Sequence, residues 1–182
     1  QFMSARQVTL HDKTFSVYIP EKDIQKAVKK VAEEIERDLM GEQPLFIGVL
    51  NGVVLFAADL LRELHMHCEV TFVKLSSYSG TQSTGNVNVD LGLKKNIEGR
   101  AVVIMEDIID TGLTVEKILD LIAAKKPKDV KIASLLYKPD AFKGNYKVDY
   151  IGKEIPNEFV VGYGLDYDGL GRNLKDIYKA SP

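Results

Sequence analysis

A chain of 182 residues, 45% hydrophobic and 27% charged, has ordinary globular composition and enough length for one full domain core. Its formal net charge of −2 gives no bulk attraction for nucleic acid or an anionic membrane, and its longest apolar runs are far too short to span a bilayer. The single cysteine, Cys68, leaves no internal disulfide and fits a reducing cytoplasm; the polar start QFMSARQV does not read as a secretory signal, and Met3 is the candidate natural start.

Gln7–Leu10 and Phe15–Ile19 alternate weakly and read as a hairpin closed by Pro20. A helix is predicted from Glu21, with Ile24, Val28, Val31, Ile35 and Leu39 on one face, a solvated charge run on the other, and Gly41 as its stop. Leu45–Leu50 follows as a buried strand, then an Asn51-Gly52 turn and a second helix over about Val53–Leu64. His65, His67 and Cys68 come next, but they lack the ligand count and spacing of a zinc site and read as a connection. Val70–Leu75 is a third strand. Ser76–Asp90, SSYSGTQSTGNVNVD, is long and aperiodic and is expected to be a mobile loop able to cover a ligand.

The stretch Val102–Thr114, VVIMEDIIDTGLT, reads as a strand (Val102–Met105), an acidic turn holding Glu106, Asp107 and Asp110, and the start of a helix whose stripe is Val115, Ile118, Leu119 and Ile122. Val130–Tyr137 is another strand, ending at Lys138-Pro139-Asp140. Ala141–Pro156 is polar and mixed, too irregular to belong to the main sheet. Phe159–Gly162 is the last strand, followed by YGLDYDG, Gly171-Arg172 and a short tail. This alternation predicts an α/β fold, a parallel twisted sheet flanked by helices. Irregular pieces near both ends would pack as a small subdomain over the carboxyl edge of the sheet.

From chemistry alone the acidic turn admits three readings. The acids could cap the following helix and face water. They could cluster around a divalent cation. They could address the hydroxyls of a sugar and a metal while the turn cradles its phosphate, which the helix-start amides and the hydroxyls of Thr111 and Thr114 favour. Without further context, Phe159 is more often a core residue, Lys138 a solvated lysine and Asp166 a turn acid.

VVIMEDIIDTGLT resembles the phosphoribosyl-pyrophosphate signature of the type I phosphoribosyltransferases, and EDIIDTG is similar to their 6-oxopurine (hypoxanthine-guanine) branch. ASLLYKP (Ala133–Pro139), FVVGYGLDY (Phe159–Tyr167) and the Ser77-Tyr78 pair extend the similarity over nearly the whole chain. The resemblance implies the type I phosphoribosyltransferase fold with a hood from about 1–20 and 139–182 and a mobile loop over 76–90. It implies Mg²⁺-dependent transfer of 5-phosphoribosyl from phosphoribosyl pyrophosphate to N9 of hypoxanthine or guanine, giving IMP or GMP and pyrophosphate.

By the same resemblance, Glu106 and Asp107 hold the ribose hydroxyls and a metal. Asp110 is the general acid/base at the purine N7, and Asp110, Thr111, Gly112, Leu113 and Thr114 bind the 5-phosphate. Lys138 donates to O6, Phe159 stacks on the purine and the Val160 backbone meets its Watson–Crick edge. Asp166 holds a second Mg²⁺, Arg172 contacts pyrophosphate, and Leu50, Asn51, Gly52, Ser77 and Tyr78 join the substrate site. A cis peptide after Leu50 is a recurrent family feature. Relatives are homodimers or homotetramers. Lys138 disfavours adenine, whose 6-amino group is a donor facing a donor. The chain departs from the pattern at Asn51, where relatives often carry a base, and at Asp140-Ala141-Phe142, where many carry an arginine, leaving Lys143 the nearest base. A regulatory module that reads nucleotides to control RNA or DNA is the alternative from another class; the acidic balance and the lack of an appended helix-turn-helix weigh against it.

Overall fold

Residues 6–77 and 87–182 are described in a computed structural model. Ten strands and three helices occur among them: β1 (Gln7–Leu10), β2 (Lys13–Ile19), α1 (Glu21–Leu39), β3 (Leu45–Leu50), α2 (Val54–Glu63), β4 (Glu69–Ser77), β5 (Val87–Leu91), β6 (Ala101–Ile109), α3 (Leu113–Ala123), β7 (Asp129–Tyr137), β8 (Tyr150–Glu154), β9 (Val160–Val161) and β10 (Ile177–Ala180). The main sheet has the order β5-β4-β3-β6-β7-β8. Its five strands from β4 to β8 are mutually parallel, and β5 adds an antiparallel edge. The second sheet, β1-β2-β10-β9, joins segments from both ends of the chain. Among the described residues no helix is long and apolar enough to cross a membrane.

Side-chain alternation sorts the main sheet's apolar residues onto two faces. Phe46, Val103 and Met105 meet the stripes of α1 and α2, including Ile24, Val28, Val31, Ile35, Phe56 and Leu60. Leu45, Ile47, Val102 and Ile104 meet Val115, Ile118 and Ile122 of α3. Each such fully buried aliphatic side chain contributes about 1.5–3 kcal/mol, so the pairing of β3 with β6 is anchored on both faces. Phe15, Val161 and Tyr178 form a separate small core in the second sheet. Acids in the first turn of α1, Glu21 and Asp23, suit its dipole, and the Glu21 N–H donates to Asp176 Oδ1 at 2.7 Å. That bond ties the helix start to the second sheet.

Several expected boundaries move. Glu106 and Asp107 belong to β6 and not to a turn, because pairing with β7 continues through Glu106↔Ser134 and on to Ile109↔Tyr137. The turn proper is Asp110–Gly112. The segment expected to be too irregular for the main sheet supplies its edge strand β8: Tyr150 is buried, and the backbone pairs Ala133↔Tyr150 through Tyr137↔Glu154. The hood therefore does not take in all of 139–182. The expected short tail contains β10, paired with both β2 and β9. The two ends of the long Ser76–Asp90 connection are not loop but paired antiparallel strands, with Ser77↔Val87 and Ser76↔Asn88 in register. Its centre, with Tyr78, lies outside the described residues.

Candidate active site

Three connections converge at the carboxyl edge of the parallel strands, where open α/β sheets place ligands. The first follows β6. Gly112 takes φ +86°, a left-handed conformation that glycine adopts without a steric penalty, and α3 begins at Leu113 with no side-chain cap. Its first amides are thus free for an anion. Glu106 and Ile108 to Val115 line a cavity of about 90 Å³ there. Asp110, half exposed, does not cap the helix. Its Oδ2 accepts a hydrogen bond from Lys138 Nζ at 3.1 Å.

Lys138 stands at the end of β7, the neighbour of β6. Its own N–H donates to Ile109 O at 3.0 Å, which brings it level with Asp110. Only 6% of Lys138 is exposed, and Nζ also lies 3.5 Å from Asn157 Oδ1. Phe159 shows the opposite inversion: it is 46% exposed. Its ring stands edge-on to Tyr167 at 5.6 Å and tilted against Phe15 at 5.8 Å. Val160, next to it, is buried in β9.

The second connection follows β3. The Leu50–Asn51 peptide is cis, and Asn51 is exposed. Gly52 lies so close to the Asp107 carboxylate that a Cβ there would meet Asp107 Oδ2 at 1.9 Å. The third is the 162–172 arch of the second sheet. Gly164, at φ +97°, packs on the Gly52 peptide, and a Cβ on it would come within 2.1 Å of Gly52 O. Arg172 Nη1 donates to Gly164 O at 2.7 Å and Nη2 pairs with Asp166 Oδ1 at 3.2 Å. Asp166 Oδ2 also accepts the Gly169 N–H at 2.9 Å. Two glycines therefore let the arch sit directly on the β3 turn, bringing Asp166 and Arg172 toward Asp107.

Glu106 is buried, and desolvation together with the adjacent Asp107 carboxylate pushes its pKa well above the ordinary carboxyl range. Burial raises Asp107 as well, opposed by hydrogen bonds from Glu106 and the Ile108 N–H, the latter at 2.8 Å, and by the charge of Arg172. The pair is thus short of positive charge. A hard divalent cation and sugar hydroxyls are the chemistry that would let both acids ionise. Among the described residues, no three of His, Cys, Asp and Glu stand close enough to hold a metal by themselves. The donor set fits Mg²⁺, which takes one or two carboxylates and fills its remaining positions with water and substrate phosphate. His65, considered with His67 and Cys68, pairs instead with Glu36 at 3.2 Å.

Glu106, Asp110–Thr114 and Lys138 thus form one group; Asp107, Asn51, Gly52, Asp166 and Arg172 form another, and the two meet at the adjacent Glu106 and Asp107. Phe159 and Val160 belong to the second sheet. Of Ser77 only the backbone is described. Lys143, the nearest base after Lys138, is exposed, and its backbone N–H donates to Thr111 O at 2.9 Å, beside the first group.

A family profile described as a phosphoribosyl transferase domain matches residues 20–168. The chain is 42% identical over 167 residues to a hypoxanthine-guanine phosphoribosyltransferase of Bacillus subtilis, covering 91% of this chain and 93% of that protein. It is 38% identical over 174 residues to the enzyme of the same name from Staphylococcus aureus, covering 95% and 97%. A crystal structure of a hypoxanthine phosphoribosyltransferase from Staphylococcus aureus superposes with a TM-score of 0.86 at 39% identity, covering 92% of this chain and 91% of that one. One from Bacillus anthracis, a hypoxanthine-guanine phosphoribosyltransferase, does so with 0.85 at 40%, covering 91% and 98%.

Proposed function

The chain belongs to the phosphoribosyl transferase domain family, and with that as premise we propose that it is a purine-salvage enzyme. It transfers 5-phosphoribosyl from phosphoribosyl pyrophosphate to N9 of hypoxanthine or guanine, giving IMP or GMP and pyrophosphate. The observation that carries this reading is the Asp110–Lys138 contact of 3.1 Å at the lip of a cavity lined by a helix start. A carboxylate and an ammonium side by side suit a 6-oxopurine, which presents N7 and O6 together, and the helix-start amides beside them suit a phosphate.

The reaction breaks the bond from ribose C1 to pyrophosphate and forms the bond from C1 to N9. Positive charge builds on the ribose and negative charge on the leaving group. Glu106 and Asp107 would receive the ribose hydroxyls and favour the first. Arg172 would hold pyrophosphate and favour the second. Asp107 and Glu106 would hold one Mg²⁺ and Asp166 a second, and the metal would supply positive charge to offset the charge developing on the leaving group. Lys138 draws electron density toward O6 and so eases loss of the ring proton, which Asp110 accepts. The exposed ring of Phe159 offers a stacking surface for the base, and the Val160 backbone its polar edge.

Formation of IMP or GMP from the free base, phosphoribosyl pyrophosphate and Mg²⁺ is the expected result, with hypoxanthine, guanine and xanthine run in parallel. No turnover with any of the three overturns the reading. Asp110→Asn should lower kcat by about a hundredfold or more, the size of an ordinary general acid/base contribution. A near-normal rate removes Asp110 from that role.

A further inference from the structure

Thr111 and Gly112, at the apex of the cradle, are braced from outside by a segment that the roles above leave unused. The backbone N–H of Lys143 donates to Thr111 O at 2.9 Å, and the Tyr146 hydroxyl donates to Gly112 O at 2.7 Å. The Phe142 ring fills the space beside the Gly112 Cα, where a Cβ would meet Phe142 Cε2 at 2.5 Å and Tyr146 Oη at 2.7 Å. Phe142 is itself held edge-on between Tyr137, at 5.4 Å, and Tyr146, at 5.1 Å. Gly144 is needed for this fold-back, since a Cβ there would meet Tyr146 Cε1 at 2.6 Å and Phe142 Cζ at 2.7 Å.

The direction of the Gly112 carbonyl matters because a trans peptide points its C=O and the following N–H in opposite directions. Gly112 O also accepts the Glu116 N–H at 3.2 Å, the first turn of α3. With the carbonyl held toward Tyr146 and the helix body, the Leu113 N–H is turned the other way, toward the cavity at the helix start. Glycine at this position has no side chain to restrict the peptide, so its plane is held by these two bonds to Gly112 O, and the Tyr146 hydroxyl supplies the shorter of them. We propose that Tyr146 is a positioning residue for the 5-phosphate, fixing the Gly112–Leu113 peptide so that the amides of the cradle are aimed before substrate arrives. Burial and nearby acids, Glu106 and Glu116, raise the Tyr146 pKa above its ordinary value, so the phenol stays a neutral donor next to a phosphate. This inference rests on the 5-phosphate reading of the Asp110–Thr114 turn.

Tyr146→Phe keeps the ring packing and removes only the donor. Losing one neutral hydrogen bond at a part-buried site should raise KM for phosphoribosyl pyrophosphate about three- to tenfold. KM for the purine and kcat should change less than about twofold, since neither reads the cradle directly. Affinity for ribose 5-phosphate, measured by calorimetry without any turnover, should fall by the same factor as the KM change. Unchanged ribose 5-phosphate affinity overturns the inference. So does a lowered melting temperature accompanied by equal losses for both substrates, which is the signature of a purely structural role. Absence of turnover by the unaltered protein would instead overturn the enzyme reading, while the calorimetric comparison still judges Tyr146.

Discussion

The Lys138–Asp110 pair predicts opposite stability effects for its two halves. Lys138 is 6% exposed, whereas the Asp110 side chain is 49% exposed. Replacing Lys138 with Met removes a charge held out of water and leaves behind a carboxylate that water can reach. Exchanging a buried ionic group for an apolar one of similar volume is neutral or stabilising, here by about 0–1 kcal/mol because only one partner is deeply buried. Asp110→Asn does the reverse. It leaves a buried ammonium facing an uncharged amide, with Asn157 Oδ1 at 3.5 Å as the other acceptor. Breaking a fully buried pair costs about 3–5 kcal/mol; the solvent access of Asp110 reduces that to about 1–2 kcal/mol. At this chain length each kcal/mol moves the melting temperature by about 2–4 °C. Chemical and thermal denaturation of both variants without ligand measures the difference. Lys138→Met should meanwhile lose about 10- to 150-fold in kcat/KM for hypoxanthine, the worth of a charged hydrogen bond to O6. Equal destabilisation by the two substitutions, or a Lys138→Met enzyme of normal activity, would refute the reasoning.

Two further outcomes follow from the same geometry. Because burial holds Glu106 above the ordinary carboxyl value of 4.5, the folded protein keeps a proton that the unfolded chain releases near that pH; stability is full below it and declines as pH rises through the folded-state pKa. Glu106→Gln should flatten that decline, leaving the ligand-free protein more stable in mildly alkaline buffer while weakening phosphoribosyl pyrophosphate use, and an unaltered pH slope in denaturation would count against it. Phe159→Ala should raise KM for the purine by about 5- to 150-fold, from a stacking contribution of about 1–3 kcal/mol, with KM for phosphoribosyl pyrophosphate little changed. Its stability cost, from two ring contacts, should be about 1–2 kcal/mol, well below that of a core phenylalanine.

What could be read from residues alone depended on how local the cause was. The stripe of α1, strand β3 at Leu45–Leu50 and the unit from β6 into α3 follow from periodicity over a few residues, and they emerged as expected. β8 did not, because Gly152, Lys153 and Glu154 give it no apolar alternation; its pairing partner β7, not its own composition, makes it a strand. β10 is four residues long and is set by β2 and β9 on either side. The ordinary expectations for Lys138 and Phe159 are inverted, the lysine buried and the ring exposed. Single-residue tendencies cannot carry that, since the partner that pulls Lys138 inward, Asp110, sits in the turn that follows the neighbouring strand β6. The joint motif could carry it. The Tyr146–Gly112 contact, reaching back 34 residues from an aperiodic segment, had no signal of any kind.

The second sheet makes assembly of the site a matter of timing. β10 lies between β2 and β9, so Ile177 pairs with Ile19 across most of the chain. During synthesis β3, β6 and β7 emerge ahead of β10 and can pair with one another first. Such long-range closure is slow compared with the local βα units. A nascent chain therefore forms the turn after β6 before it holds Phe159 and the 162–172 arch in place. The arrival of residues 177–180, which join β9 to β2 through β10, completes the second sheet and fixes the position of Phe159 and the 162–172 arch.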